Sequence, residues 1–431
     1  MIDDVAESAM PGVPPIGATA EATSRGRLVS WPFIVVYAAA YTGLWMALLP
    51  PILVGLAMRV RVLAPVHATG SLSLVVGVGA LMALFGNPFF GRLSDRTTSR
   101  FGMRRPWLIA GALGGAVGLV IVATAASIPH LLLGWCITQL AYNAELAALA
   151  AILADQVPVS QRGTVSGIVG ISLPVGMISG TFLAQALAHF TLAAFLVPAA
   201  IALISALILV ATLPDQRLAI AQQARYGWRE FFGSYWINPQ RFPDFALAWS
   251  SRFLLYAGIA VLMTYQGFYL IRQLGCAPDD VPRLIFLSTL VQSCAVAIFS
   301  ALGGGLSDAV GRRKVFVSGA ALVYALALLM IAFAPSYALF FAGMAIGGAA
   351  QGVYLAAGLA LVTDVLPERE TCAAGNLGIF NIASVLPQSL MPAIAPGILW
   401  ASGGSFATLF AVAAVLVALS AWTIRPVRGV R

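Results

Sequence analysis

Two ionisable side chains in this 431-residue sequence stand where a charge is expensive: Glu145 and Arg252, each deep in a long apolar run. Of the 16 acidic residues the other 15 fall in tails or between apolar runs, and Arg252 is the only basic residue embedded in one. An ionisable group at mid-bilayer costs about 2.5–3.5 kcal/mol on insertion scales and usually faces a bundle interior or a water-filled cavity. Glu145 precedes Asp155 by 10 residues, roughly 15 Å of helix, and Arg252 follows Asp244 by 8, roughly 12 Å. Both are expected at similar depth, on the cytoplasmic side of the midplane. A carboxylate whose distance from a cation changes between two conformations becomes a proton carrier. The expectation is that Glu145 is the protonation site and Arg252 its alternating partner or a substrate ligand. The plainer alternatives are a static pair or, for Arg252, snorkelling to the inner interface. His67, His130 and His189 fall at expected outer loops, poorly placed to share the task.

Further candidates surround these two. Glu145 shares a helical face with Thr138 and Tyr142, and Gln139 and Asn143 lie beside it. Tyr37, Tyr41 and Trp45 recur every fourth residue, a stripe suited to stacking on a sugar or aromatic ligand but more often simple packing. Tyr256 lies one turn beyond Arg252, and Gln266, Gln292, Asn376, Asn381 and Gln388 bring hydrogen-bonding groups into other apolar runs. No P-loop lysine motif, HExxH, GxSxG or phosphorylatable-aspartate pattern is visible, so neither an enzyme nor a nucleotide-driven pump is expected. The four cysteines (Cys136, Cys276, Cys294 and Cys372) are too dispersed for a metal site or a disulfide framework. No cofactor is expected, and the proton gradient is the natural energy source.

The elements that hold these residues follow from composition. Hydrophobic residues make up 60% and charged ones 9%, against about 45–50% and about 25% in soluble domains. That excludes a cytosolic enzyme, a nucleic-acid binder and a disordered chain, despite a net charge of +8. Twelve runs are long enough to span a bilayer, near 31–57, 71–90, 106–127, 130–153, 164–187, 191–213, 245–270, 283–303, 314–334, 336–361, 374–397 and 403–423. The expected organisation is a cytoplasmic tail (1–30), a six-helix half (31–213), a linker (214–244), a second six-helix half (245–424) and a short tail (425–431). In the linker, Arg225, Trp228, Arg229, Phe231, Phe232, Tyr235 and Trp236 suit a helix lying in the headgroup plane. With the N-terminus inside, 19 basic residues fall on the cytoplasmic side and 4 outside, which places both termini in the cytoplasm.

The two halves repeat. Gly91-Arg-Leu-Ser-Asp95 recurs as Gly304-Gly-Leu-Ser-Asp308 at an offset of 213. Gly102-Met-Arg-Arg105 matches Gly311-Arg-Arg-Lys314, and Asp155-Gln-Val-Pro158 matches Asp364-Val-Leu-Pro367, both at 209. One four-residue insertion after the first copy reconciles all three. At the same offset Tyr142 and Glu145 correspond to Gln351 and Tyr354, so both halves carry polar groups at these positions, as a cavity lining requires.

Gly91-Arg-Leu-Ser-Asp-Arg96 and its second copy resemble the loop 2–3 and loop 8–9 signature of the major facilitator superfamily. The longer string through Arg104-Arg105-Pro-Trp107, insertion included, is similar to the sucrose-transporter and glycoside–pentoside branch. The resemblance implies an all-α fold of twelve transmembrane helices in two pseudo-symmetric halves, with a substrate site at the midplane between them. It also implies a cytoplasmic gate formed by Gly91, Asp95, Arg96, Arg104, Arg105, Asp155, Arg162, Gly304, Asp308, Arg312, Arg313 and Asp364. Ala309 departs from the usual arginine, which predicts latches of unequal strength. Function then reads as proton-coupled symport of a sugar, glycoside or similar small polar solute across a bacterial inner membrane. Lipid and substrate are the expected partners, and family members commonly act as monomers. One alternative is a proton-antiporting exporter of drugs or natural products, although Gly170, Pro174, Gly176 and Gly180 lack the family's exporter string. A second is a non-transporting assembly or sensor protein on the same fold.

Overall fold

The computed structural model describes residues 28–215, 239–310, 312–365 and 373–427. The expected interfacial helix of the linker and most of the N-terminal tail lie outside them, and the side chains of Asp308, Asp364 and Asn376 are likewise outside the description.

Twelve helices are long and apolar enough to cross a membrane. They are α1 (Trp31–Leu63), α2 (Ala68–Asp95), α3 (Arg105–Thr124), α4 (Ile128–Gln156), α5 (Val159–Ala186), α6 (Thr191–Thr212), α7 (Pro243–Arg272), α8 (Val281–Val310), α9 (Arg313–Ala332), α10 (Tyr337–Val365), α11 (Ala373–Ala401) and α12 (Phe406–Ile424). In lipid the backbone must satisfy its own hydrogen bonds, and a helix does so within one segment. Local signals set the ends. Proline occupies the first turn of α1, α3, α4 and α7, where its missing N–H costs nothing. Ser405 caps α12 by accepting the Thr408 N–H at 3.1 Å. The paired Pro50 and Pro51 interrupt α1, and residues Pro51–Gly55 form a π turn.

The helices outrun the apolar stretches at their cytoplasmic ends. Asp95, Asp155, Asp308 and Asp364 therefore stand in the last turns of α2, α4, α8 and α10, not in loops. Hydropathy marks only the hydrocarbon crossing, and the helix continues into the headgroup region.

Packing obeys the repeat. In the first half α3 and α2 pack on α4, and α6 packs on α1 and α3; in the second, α9 and α8 pack on α10, and α12 packs on α7 and α9. Likewise α1 packs on α5 as α7 does on α11, and across the halves α2 runs along α11 as α8 does along α5. Every one of these contacts recurs six helices later.

Candidate transport pathway

The halves meet at their outer ends. Tyr265 of α7 lies 2.5 Å from Ser73 Oγ of α2 and 3.5 Å from the Pro392 carbonyl of α11. Ser73 Oγ also donates to Thr69 O at 2.8 Å, and each hydroxyl has one proton to share between its partners, so either one can donate in the bond between them. Gly77 lets α2 approach α11: a Cβ there would sit 3.5 Å from Ser389 O. Phe182 of α5 meets Phe286 of α8 edge-on at 5.5 Å. Nearer the cytoplasmic end, Gly163, Gly167 and Gly170 of α5 have no neighbour within 4 Å of where a Cβ would stand.

Glu145 faces the neighbouring helix of its own half. It is 0% exposed and pressed against α3, where a Cβ on Gly111 would lie 2.6 Å from its own Cβ. Tyr142 packs the same way on Gly115 and Thr138 on Gly118, so this face of α4 is turned to α3. Among the described residues, neither carboxyl oxygen of Glu145 nor the Tyr142 hydroxyl finds a hydrogen-bond partner. A carboxylate charge left there would lack both counter-charge and hydrogen bonds, at a cost of several kcal/mol, so the packing suits the neutral acid. The expected pair with Arg252 is absent in this conformation. Arg252 instead donates from Nε to Ser384 Oγ of α11 at 2.5 Å, with the rings of Phe380 and Tyr256 at 4.7 and 5.1 Å. It is partly exposed.

The remaining candidates divide between packing and cavity. Thr138 donates back to Gly134 O at 2.9 Å, and Asn143 donates to Gln139 O at 2.8 Å. The matched positions of the repeat do not act alike. Gln351, partly exposed, accepts from Gln292 at 3.2 Å, whereas Tyr354 is buried and joins Ser251 at 3.0 Å; Ser251 in turn joins Ser420 at 2.8 Å. Tyr354 thus ties α7, α10 and α12 together, whereas Gln351 at the other matched position stays partly exposed. In the aromatic stripe Tyr37 is fully buried and donates to Leu149 O at 2.6 Å, with Tyr41 edge-on at 5.3 Å. Only Trp45 is more than marginally exposed. Gln266 is buried with its oxygen unpartnered, while Asn381 and Gln388 are exposed.

At the inner rim of the first half, Arg104 is the hub. It reaches Asp95 at 2.6 Å, Asp155 at 2.8 Å and Ser94 Oγ at 2.8 Å. Burial alone would lower its pKa; the two carboxylates outweigh that and raise it. Asp215, which sequence reading left among the linker residues, accepts the backbone N–H groups of Arg104 and Arg105 at 2.7 and 2.9 Å and so caps α3 from the end of α6. Gly102, at φ 107°, makes the turn that admits it. The signal was an aspartate immediately after span 6, without a local reason to be there. Arg162 binds the Ala154 and Val157 carbonyls at 3.0 and 3.1 Å, closing the C-terminus of α4, and it joins no acidic cluster. Gly91 and Gly304 both mark close helix approach, to Ala147 at 3.8 Å and Ala356 at 3.6 Å, residues again 209 apart.

A twelve-span bundle of two repeated six-helix halves with embedded polar groups is the architecture of a multi-pass transporter. The profile of the Major Facilitator Superfamily matches residues 26–282 and 248–430, and the chain belongs to that family. Over 120 residues it is 30% identical to the sucrose transport protein SUC4 of Arabidopsis thaliana, a match covering 24% of this chain and 24% of the relative. The sucrose transport protein SUC3 of the same plant is 27% identical over 124 residues, covering 24% of this chain and 21% of the relative. The chain therefore aligns with about a quarter of each. Among solved structures, a bacterial homologue of the lysosomal transporter Spinster, inward-facing and unoccupied, superposes with TM-score 0.68 at 17% identity, over 93% of this chain and 99% of that one. A D-xylose–proton symporter gives 0.69 at 17%, over 93% and 98%. The nucleoside transporter NupG gives 0.69 at 16%, over 92% and 98%. At these identities the structures establish the fold.

Proposed function

We propose that this chain is a proton-coupled symporter of a sugar, glycoside or similarly polar small solute, resident in a bacterial inner membrane. Glu145 holds the proton; Arg252, Tyr256, Trp45, Gln292, Gln351, Asn381 and Gln388 are the polar and aromatic groups offered to the solute. The observation that carries the reading is Glu145 itself, a carboxyl buried in the bundle with neither oxygen partnered. Such a group has no evident structural use, and its cost is relieved when it binds a proton. The partial likeness to sucrose transport proteins and the fold shared with a xylose–proton symporter favour a hydroxylated solute.

Of the two roles expected for Arg252, the solute ligand is favoured: Glu145 packs between α3 and α4, whereas Arg252 is held between α7 and α11. The test is external pH in a lightly buffered suspension of cells expressing the protein, as sugars and glycosides are added one at a time. Alkalinisation with one compound, abolished by a protonophore and by Glu145→Gln, supports symport. A Glu145→Gln variant that transports at the normal rate with unchanged pH dependence removes the carrier role.

A further inference from the structure

We propose that the transported solute carries an oxyanion, a carboxylate or phosphate on a hydroxylated small molecule, and that the Arg252 guanidinium binds it; this rests on the symporter reading and narrows its substrate. Arg252 lies nine residues inside α7. Its orientation is fixed on three sides: Ser384 Oγ accepts from Nε at 2.5 Å, and the Phe380 and Tyr256 rings lie at 4.7 and 5.1 Å. Ser384 is itself held in the turn where Gln388 donates to its carbonyl at 3.2 Å. Neither terminal nitrogen of Arg252 donates to a described residue, and among the described residues no carboxylate pairs with it. Glu145, the other embedded ionisable group, is sealed against α3 and unavailable as a counter-ion.

A guanidinium held by one edge presents its other edge as a planar fork, the geometry that binds carboxylate and phosphate in bidentate fashion. An arginine needed only for structure would be expected to bring its own acid, because an unneutralised cation between apolar walls is costly and an anion placed beside it gains more than it would in water. A neutral sugar leaves that cation uncompensated; an anionic solute completes the pair on arrival and takes the pair apart on release. Asn381 and Gln388, exposed on the same helix as Ser384, remain to meet hydroxyl groups. A monoanion moving with one proton crosses without net charge.

The experiment uses the full-length protein in proteoliposomes and reads proton uptake and membrane current together. Three sets of compounds are added: glucose, sucrose and xylose; glucuronate and gluconate; glucose 6-phosphate. The expected result is proton uptake driven by an anionic set, with the carboxylate and phosphate arms telling which oxyanion is taken. For a monoanion the current is absent. Arg252→Gln raises the half-saturating concentration of that anion at least tenfold, Arg252→Lys recovers part of the loss, and Ser384→Ala, a milder change, gives a smaller rise. Proton uptake driven by neutral sugars, with no response to either anionic set, overturns the proposal and leaves the symporter reading intact. No proton movement with any compound, from protein that still unfolds cooperatively on heating, overturns both.

Discussion

Tyr265→Phe tests the outer closure with a single oxygen atom. The ring keeps its place, including its approach to Phe406 at 6.5 Å, and only the hydroxyl that bridges the halves is lost. Ser73 still donates to Thr69 O at 2.8 Å, so no donor is orphaned; what disappears is the 2.5 Å bond to Ser73 and the longer one to Pro392 O. A buried neutral hydrogen bond contributes about 1 kcal/mol net, so the ratio of outward-closed to outward-open molecules should fall about fivefold. The assay is the rate at which a membrane-impermeant maleimide, applied from outside, labels a cysteine at Ala57. That residue is buried in α1 opposite Gly267 of α7, within the closure. The four native cysteines are first replaced by serine. Labelling should quicken about fivefold in Tyr265→Phe and by a similar factor in Ser73→Ala, with the double variant adding little, because both remove one interaction. A Tyr265→Phe rate within the scatter of the parent would refute the assignment of closure to this bond.

Four further outcomes follow from the packing. Gly111→Ala should destabilise the bundle by about 1–3 kcal/mol, since the new methyl would meet Glu145 Cβ at 2.6 Å; thermal unfolding in detergent reads it. Asp215→Ala, which uncaps α3, should cost about 1 kcal/mol and lower the same unfolding temperature by a few degrees. Arg104→Ala leaves Asp95 and Asp155 facing each other without a cation and should destabilise the inner rim more than Asp95→Asn does, which unfolding of both variants compares. Glu145→Gln should fold normally, keep solute exchange between equal pools and lose uphill accumulation, measured with labelled solute in the same vesicles.

The fold was legible because lipid imposes a length and a polarity on every crossing, and because two copies of the rim sequence lie 209–213 residues apart. What could not be read directly was how α4 turns about its own axis. Its faces are nearly all apolar or small, so periodicity gave no direction, and Thr138, Tyr142 and Glu145 looked like a cavity wall because they are polar. The informative residues lay on the neighbouring helix. Gly111, Gly115 and Gly118 of α3 form a groove that receives those three side chains, and the same 209-residue offset carries it to Ala320, Tyr324 and Ala327 of α9. There the large and small partners are exchanged, with Tyr324 packed on Gly347, the counterpart of Thr138. The backbone symmetry is therefore kept while the side-chain filling is not.

That inequality bears on coupling. In the first half an acid lies against α3, and the same α4 helix carries Asp155, which grips Arg104 at the inner rim 10 residues farther along. A movement of α4 about Glu145 would be passed along the helix to the Asp155–Arg104–Asp95 cluster at its end. In the second half the equivalent helix is pinned by Tyr354 to Ser251, the neighbour of Arg252 in sequence. If Glu145 carries the proton and Arg252 meets the solute, as proposed, the two occupancies reach the inner rim through different helices, α4 and α7. They can be coupled where the halves touch, most extensively along the two seams α2–α11 and α5–α8, and also where the π turn of α1 meets α7 and α8. Substitutions on those two seams should therefore uncouple proton from solute movement while leaving both binding steps in place. Gly77→Ala, which thickens the α2–α11 seam where Ser389 O and Pro392 lie at 3.5 and 3.7 Å, is the mildest such change. Measured as solute moved per proton, a lowered ratio with unchanged half-saturation would support coupling through the seam, and an unchanged ratio would place it elsewhere.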